Sequence, residues 1–398
     1  MKIAVAMDSF KGSMTSMEAG LAVAEGIHRV DSTVEVNVFP LADGGEGTVN
    51  TLISGLGGEI INVTVTGPLG TPVVCEYGIL KDTDTAVIEM SGAAGITLVP
   101  KEKRNPLETT TFGVGEVIKD AIRKRCRRFI IGIGGSATND GGVGMLQAFG
   151  YKFLDCKGEE ISFGAKGLQN LCEIVDEDVL PELSECEFLV ACDVTNPLIG
   201  ENGCSQIFGP QKGATPSMIE NMDRWLCKYA ELSKEKFPKA DACLAGTGAA
   251  GGLGFAFQTF LNAVLEPGIQ IVMREIQLEQ QLLNVDLVIT GEGKLDSQTV
   301  MGKAPIGVAK LAKKYGKTVI AFSGEADADA YLCNSHGIDA FFPILQNVVT
   351  QEQAMCGAVA LHNLIATAEQ VYRLWKIKKL ALTTCYYSVA FVLVHRVP

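Results

Sequence analysis

Five stretches of the chain set a carboxylate or a lysine beside glycine, and each follows a strand-like run or leads into a helix-like one. They are 8–13 (DSFKGS), 42–48 (ADGGEGT), 134–142 (GGSATNDGG), 208–214 (FGPQKGA) and 290–299 (TGEGKLDSQT). A further loop, Asp193 to Leu198, brings a carboxylate after the apolar run Phe188 to Cys192. Glycine lets backbone N–H groups approach an anion and allows positive φ in the turn. Ser136 and Thr138 add hydroxyl donors, and Asn139 or Asp140 can cap the helix that follows. Phosphoryl transfer needs a phosphate cradle, positive charge, carboxylates for Mg²⁺ and a base for the attacking hydroxyl. These loops contain residues for all four. A ligand-free strand-to-helix turn would explain each glycine singly, but not the recurrence of charged and hydroxyl residues beside them.

Other chemistries fit less well. No G-x-x-x-x-G-K-[ST] occurs, and the protein-kinase set of G-x-G-x-x-G with H-R-D and D-F-G is absent. Gly246-x-Gly248-x-x-Gly251 matches the dinucleotide fingerprint as text. However, the stretch before it is short and polar-led, and Ile271 stands where an acidic residue belongs. The four histidines, His28, His336, His362 and His395, all lie outside the glycine-rich loops, which argues against a histidine base and against zinc. The basic run Arg123 to Arg128 sits at a helix C-terminus, where the dipole favours cations, and reads as a solvated face.

The elements that must carry these loops follow from patterning. Ile3–Met7 and Val34–Phe39 read as strands, with a helix between them opened by a Thr15/Glu18 capping box. Two successive β-loop-α units predict parallel strands with ligands at their carboxyl ends, where Asp8, Lys11, Asp43 and Glu46 fall. From Ile60 to Glu89 the alternation predicts antiparallel hairpins, turning at 67–70 and 81–84. Helices are expected over 114–124, 255–265 and 352–374, with strands at 286–290, 318–322 and 340–344. The fold class is α/β: a Rossmann-like doubly wound parallel sheet domain from 1–66 and 284–378, with a second α/β domain, 67–283, inserted. The cleft between domains is the expected site. Residues 379–398 form an atypical apolar tail. Its uncharged stretch, Leu380 to Val394, is short for a membrane span and reads as an extra strand or a poorly ordered extension.

Bulk properties narrow the class. The 398 residues, 47% hydrophobic and 20% charged, allow two or three globular domains. A net charge of −12 argues against nucleic acid, and any anionic substrate must be drawn in by local lysines within a Debye length of about 8 Å. The 12 cysteines form no C-x-x-C pair, and most sit in apolar runs (Cys75, Cys192, Cys243). They read as reduced, buried thiols. The N-terminus turns polar too early for a secretory signal. The expectation is a cytoplasmic protein without membrane or nucleic-acid partners; a homo-oligomer is left open.

Taken together, the loops above with NPLETTTFGVGE (105–116), IGIGGSATNDGGVGMLQAFG (131–150), ACDVTNPLIGENG (191–203) and GTGAAGGLG (246–254) resemble the bacterial glycerate kinase family, type I. The resemblance covers roughly residues 1–378, stops before Leu380, and departs at Cys204, where a small residue is commoner. It implies a Rossmann-like domain with an inserted α/β domain, and ATP- and Mg²⁺-dependent phosphorylation of D-glycerate, usually to 2-phosphoglycerate. On that resemblance Lys11 holds the glycerate carboxylate or a phosphate, with Asp8 and Ser9 near it. Asp43 or Asp193 takes the hydroxyl proton. Glu292, Lys294 and Asp296 complete the cleft, one carboxylate on Mg²⁺. Gly134, Gly135, Ser136 and Asn139 cradle ATP phosphates, with Gly248 and Gly251 also at the nucleotide. The alternatives are 3-phosphoglycerate as product and a non-catalytic sensor that binds a hydroxyacid.

Overall fold

The computed structural model describes residues 1–45, 47–81 and 83–394, with side chains as far as Ile377; Glu46 and Asp82 lie outside it. The chain forms two compact units, Met1–Leu41 with Gln277–Pro398, and Ala42–Ile276.

The first unit opens with β1 (Lys2–Met7), apolar after Lys2 and buried on both faces, as a central parallel strand should be. Then come α1 (Ser16–His28) and β2 (Glu35–Pro40). The expected capping box is present: Glu18 N donates to Thr15 Oγ1 (3.2 Å), and Thr15 N to Glu18 Oε2 (2.8 Å).

The second unit contains α2 (Thr48–Leu56), β3 (Gly58–Thr66), β4 (Pro72–Leu80), β5 (Thr85–Glu89), α3 (Ser91–Ala94), α4 (Phe112–Arg123), β6 (Arg128–Gly132) and α5 (Val143–Ala148). It continues through β7 (Lys152–Leu154), β8 (Glu173–Val175), β9 (Glu187–Ala191), α6 (Cys204–Phe208), α7 (Pro216–Lys236), α8 (Ala249–Leu261), β10 (Val264–Glu266) and α9 (Gly268–Glu275). Its six-stranded sheet runs β10-β9-β6-β5-β4-β3. The first four strands are parallel and the last two antiparallel, as the hairpin patterning predicts. Phe129, Phe153, Tyr229, Phe255 and Phe257 anchor its core.

The chain then returns to the first unit with α10 (Leu278–Leu282), β11 (Leu287–Leu295), α11 (Ala304–Lys314), β12 (Thr318–Ala326), α12 (Leu332–Ser335), β13 (Ala340–Pro343), α13 (Gln351–Met355) and α14 (Gly357–Val394). The sheet order is β13-β12-β11-β1-β2, all parallel. From β1 the chain moves one way to β2, and β11 joins on β1's other side. Strand order therefore reverses between β1 and β11, the position where open α/β sheets leave a crevice for ligands. Ile3, Val5, Val23 and Leu364 belong to its core.

The α/β expectation holds, and several details differ. The chain leaves the first unit at Leu41 rather than near Gly67, and returns at Gln277 rather than 284. The helix after β2 belongs with the other sheet: Val49 N donates to Glu89 Oε1 at the end of β5 (2.9 Å), and β3 pairs with β4 along its whole length. The helix expected over 255–265 starts earlier and ends at Leu261, leaving room for β10. The helix expected over 352–374 is broken at Cys356, whose backbone is extended. The apolar stretch from Leu380 is neither strand nor irregular: α14 runs through it to Val394, while 395–398 lie outside the described residues. Among the described residues, no helix is long and apolar enough to cross a membrane.

Two thiol expectations also fail. Cys156 and Cys172 are joined, because the antiparallel β7–β8 pair holds their Cα atoms 5.4 Å apart. Cys243 is exposed, since the stretch around it is a turn rather than an apolar run.

Candidate active site

The two units each present their own loop set at the carboxyl ends of their parallel strands. In the first unit the loop after β1 starts at Asp8, which is buried; its N–H donates to Gly291 O (2.9 Å) and its Oδ1 accepts from Ser9 N (2.7 Å). The Phe10–Lys11 backbone lies against Gly293 of β11, Lys11 N standing 3.6 Å from where a Gly293 Cβ would be. Glu292, on the same strand, is buried, and burial pushes its carboxyl up. Thr299 Oγ1 opposes this by donating to Glu292 Oε1 (2.7 Å), and Lys303 and Lys11 oppose it by charge. Lys303 Nζ stands between Glu292 Oε2 (3.9 Å) and Asp296 Oδ1 (3.8 Å). Asp296 also caps its own turn, accepting from Gln298 N and Thr299 N.

Lys294 is placed differently. It is exposed and pairs with Asp327 (3.0 Å) and Glu325 (3.8 Å), which hold its ammonium above the ordinary lysine range. Lys303, not Lys294, is the lysine that pairs with Glu292 and Asp296. Sequence reasoning passed over it; the available signal was a lysine immediately before the helix-opening Ala304-Pro305.

In the second unit Asp43 and Asp193 converge on one residue. Asp193 Oδ1 accepts from Gly268 N, the first residue of α9 (3.1 Å). A Cβ on Gly268 would stand 2.0 Å from Asp43 O, so only glycine lets the Asp43 loop pass there. Asp43 Oδ1 accepts from Gly45 N (3.0 Å). Gly45 Cα in turn lies 3.8 Å from where a Gly134 Cβ would be, which puts the Asp43 loop beside the tip of the glycine loop.

That glycine loop has an open tip and a closed base. Gly134 and Gly135 are exposed, Ser136 is 8% exposed, and Thr138 and Asn139 are fully buried. Asn139 Nδ2 donates to Ser205 Oγ (2.8 Å), and its Oδ1 has no partner among the described residues. Asp140 rather than Asn139 serves the start of α5. Its carboxylate accepts from Thr111 N and Oγ1 (2.8 Å each) and Gly142 N (3.1 Å). Burial pushes Asp140 up, and those bonds pull it back.

Gly248 and Gly251 are buried supports in this arrangement. A Cβ on Gly248 would stand 2.1 Å from Pro197 O, and one on Gly251, at φ +67°, 2.1 Å from Thr138 O. Their glycine character is explained by loop packed on loop. Lys212, in the quoted 208–214 stretch, was given no role from sequence. It is fully buried under the glycine loop, its Nζ donating to Ser136 Oγ (2.8 Å) and Thr138 O (2.6 Å). Burial brings its ammonium down to about 8. Nothing local in the sequence distinguishes it from a surface lysine.

Among the described residues, no group of three histidine, cysteine or acidic side chains could hold a metal ion. A Mg²⁺ carried on a nucleotide needs only one or two protein carboxylates.

Residues 3–376 match the model of the glycerate kinase family. The chain is 46% identical to the glycerate 2-kinase of Escherichia coli K12, over 92% of this chain and 98% of that one. It is also 46% identical to the glycerate kinase of Haemophilus influenzae, over 95% and 100%. The crystal structure of a putative glycerate kinase 2 from Salmonella typhimurium LT2 superposes with a TM-score of 0.88 at 45% identity, covering 96% of this chain and 99% of that one.

Proposed function

Because the chain belongs to the glycerate kinase family, we propose that this kinase transfers the γ-phosphoryl group of ATP to the 2-hydroxyl of D-glycerate, giving 2-phosphoglycerate. The observation that carries the reading is the second unit's loop cluster. The Asp193 carboxylate and the Asp43 backbone carbonyl both meet Gly268, and Gly45, whose N–H donates to the Asp43 carboxylate, lies next to Gly134 of the exposed tip. That juxtaposition supports reading one of the two aspartates as proton acceptor beside a phosphate cradle, the arrangement that phosphoryl transfer to an alcohol requires. The 2-hydroxyl assignment leans on the name of the Escherichia coli relative, a glycerate 2-kinase.

Roles divide between the loop sets. Gly134, Gly135 and Ser136 bind ATP phosphates, with Asn139, Gly248 and Gly251 holding the loop behind them. Asp193 or Asp43 accepts the hydroxyl proton; Asp193 is oriented by the amide at the start of α9, which donates to its Oδ1. In the first unit Lys11, with Asp8 and Ser9, takes the glycerate carboxylate, and Lys294 and Asp296 belong to the same set. Glu292 or Asp296 would hold a Mg²⁺ carried on ATP, which would supply charge neutralisation at the transferring phosphoryl group. The cytoplasmic assignment fits the nine unpaired cysteines among the described residues.

The test is an ADP-release assay with D-glycerate and Mg-ATP, followed by ³¹P NMR of the product. Formation of 2-phosphoglycerate is expected. The 3-isomer would keep the kinase and reverse the substrate pose. A folded sample releasing no ADP above a no-glycerate blank would overturn the reading.

A further inference from the structure

Lys212 is a cation for which the reaction above has no assigned use. It closes the short turn Pro210–Lys212, is 2% exposed, and donates to two neutral oxygens, Ser136 Oγ and Thr138 O. Asp140 and Cys204 are close enough to act on it electrostatically. Yet Asp140 is already taken up by Thr111 and the amide of Gly142. An ammonium buried among neutral acceptors is costly unless an anion completes its surroundings.

A second observation says where that anion would stand. Ser136 Oγ accepts from Lys212, so its own O–H must point elsewhere, and among the described residues no acceptor takes it. Ser136 is the residue at which the loop passes from its exposed tip to its buried base. Deeper in the same loop, Thr138 Oγ1 and Asn139 Oδ1 are buried without partners among the described residues. The loop therefore holds more polar capacity than its own contacts use.

We propose that Lys212 is a positioning residue of the nucleotide site: it fixes Ser136 as an outward hydrogen-bond donor to a phosphate and sets one buried positive charge directly behind it. This rests on the reading of Gly134–Ser136 as the phosphate cradle. The ligand class is a polyphosphate, and the effect falls on its phosphates, not on the nucleoside or on glycerate.

Calorimetric titration of the full chain tests this, with Mg-ATP, inorganic tripolyphosphate and adenosine as probes and KM for D-glycerate measured alongside. K212M is expected to weaken Mg-ATP and tripolyphosphate by roughly 10- to 100-fold, the range for a hydrogen bond to a charged group. Adenosine affinity and KM for glycerate should stay as in the wild type. S136A should weaken the same two probes, and K212M/S136A should be no weaker than K212M, because the residues act in one chain of bonds. A lysine with only a structural task would lower Tm and shift every ligand alike, and that result overturns the proposal. So does a folded K212M that binds tripolyphosphate like the wild type. If K212M does not fold, S136A decides, since it leaves Lys212 its bond to Thr138 O; unchanged tripolyphosphate affinity there also overturns it. Wild-type turnover with an unaffected K212M removes the Lys212 role alone. A wild type that binds neither Mg-ATP nor tripolyphosphate removes both this proposal and the phosphate cradle.

Discussion

The carboxyl edges of the two sheets treat charge in opposite ways. In the first unit charges answer one another: Lys303 lies between Glu292 and Asp296, and Lys294 between Asp327 and Glu325. In the second, Lys212 has neutral oxygens at its ammonium, and Asp140 is held by amides and a hydroxyl. Paired groups near water are cheap to keep and weak in reach, because solvent and salt screen them. Groups sealed away from water are expensive and unscreened, so their fields extend to whatever comes next to them. On the proposed reading, the first edge sorts a small charged substrate and the second sets a fixed field at a phosphate.

The largest expected effect tests whether the second edge does the chemistry. D193N or D43N should lower kcat by roughly 10²–10⁴-fold, the usual worth of a general base, with KM for ATP little changed. If both variants turned over like the wild type, the proton acceptor would not lie in this unit. Next is the support under the glycine loop. G251A would force a Cβ to 2.1 Å from Thr138 O at a backbone angle that disfavours side chains. A loss of roughly 2–4 kcal/mol is expected, read by urea denaturation. A neutral G251A would mean that the loop is not held from behind.

A smaller effect sets the two edges against each other by pH. Burial raises Glu292 above 4.5, so above that value the folded state keeps a proton that the unfolded chain has released. Stability then falls as pH rises through that window. Lys212 runs the other way: it titrates near 8 when folded against 10.5 when unfolded, so the unfolded chain binds the extra proton and stability rises with pH between those values. Calorimetric Tm across pH should show E292Q flattening the acid limb and K212M the alkaline one. The same limb responding to both variants would break the contrast. The smallest expectation is for K294M. Its ion pairs are exposed, so Tm should not move measurably. An unchanged KM for glycerate in K294M would transfer its substrate role to Lys303.

Sequence patterning located β1, the start of α1 and the starts of β11, β12 and β13 to within a residue or two, because buried parallel strands are short apolar runs. It misplaced the first crossing between units. Residues 34–56 read as a continuing β-loop-α repeat, and nothing local marks that α2 packs on a different sheet. The tight approaches at Gly251 and Gly268 escaped notice because a glycine looks the same in a turn and under a neighbouring backbone. Lys212 was missed for a related reason: burial of a lysine is a property of the whole unit. The Cys156–Cys172 bridge depends on the pairing of two three-residue strands, too short to leave a periodic signal.

The split of the first sheet across the chain bears on how the molecule is made. Ile3 pairs with Leu287, while the whole of 42–276 forms its own unit in between. On a ribosome, β1 emerges before the whole of 42–276, and its neighbour β11 only after it. The intervening unit can complete its sheet while that strand has only β2 for company, and the entropy of closing the long loop is then already met. Stalled or truncated synthesis before Leu287 would release a finished second unit trailing an unsatisfied β1, a target for chaperones and proteases.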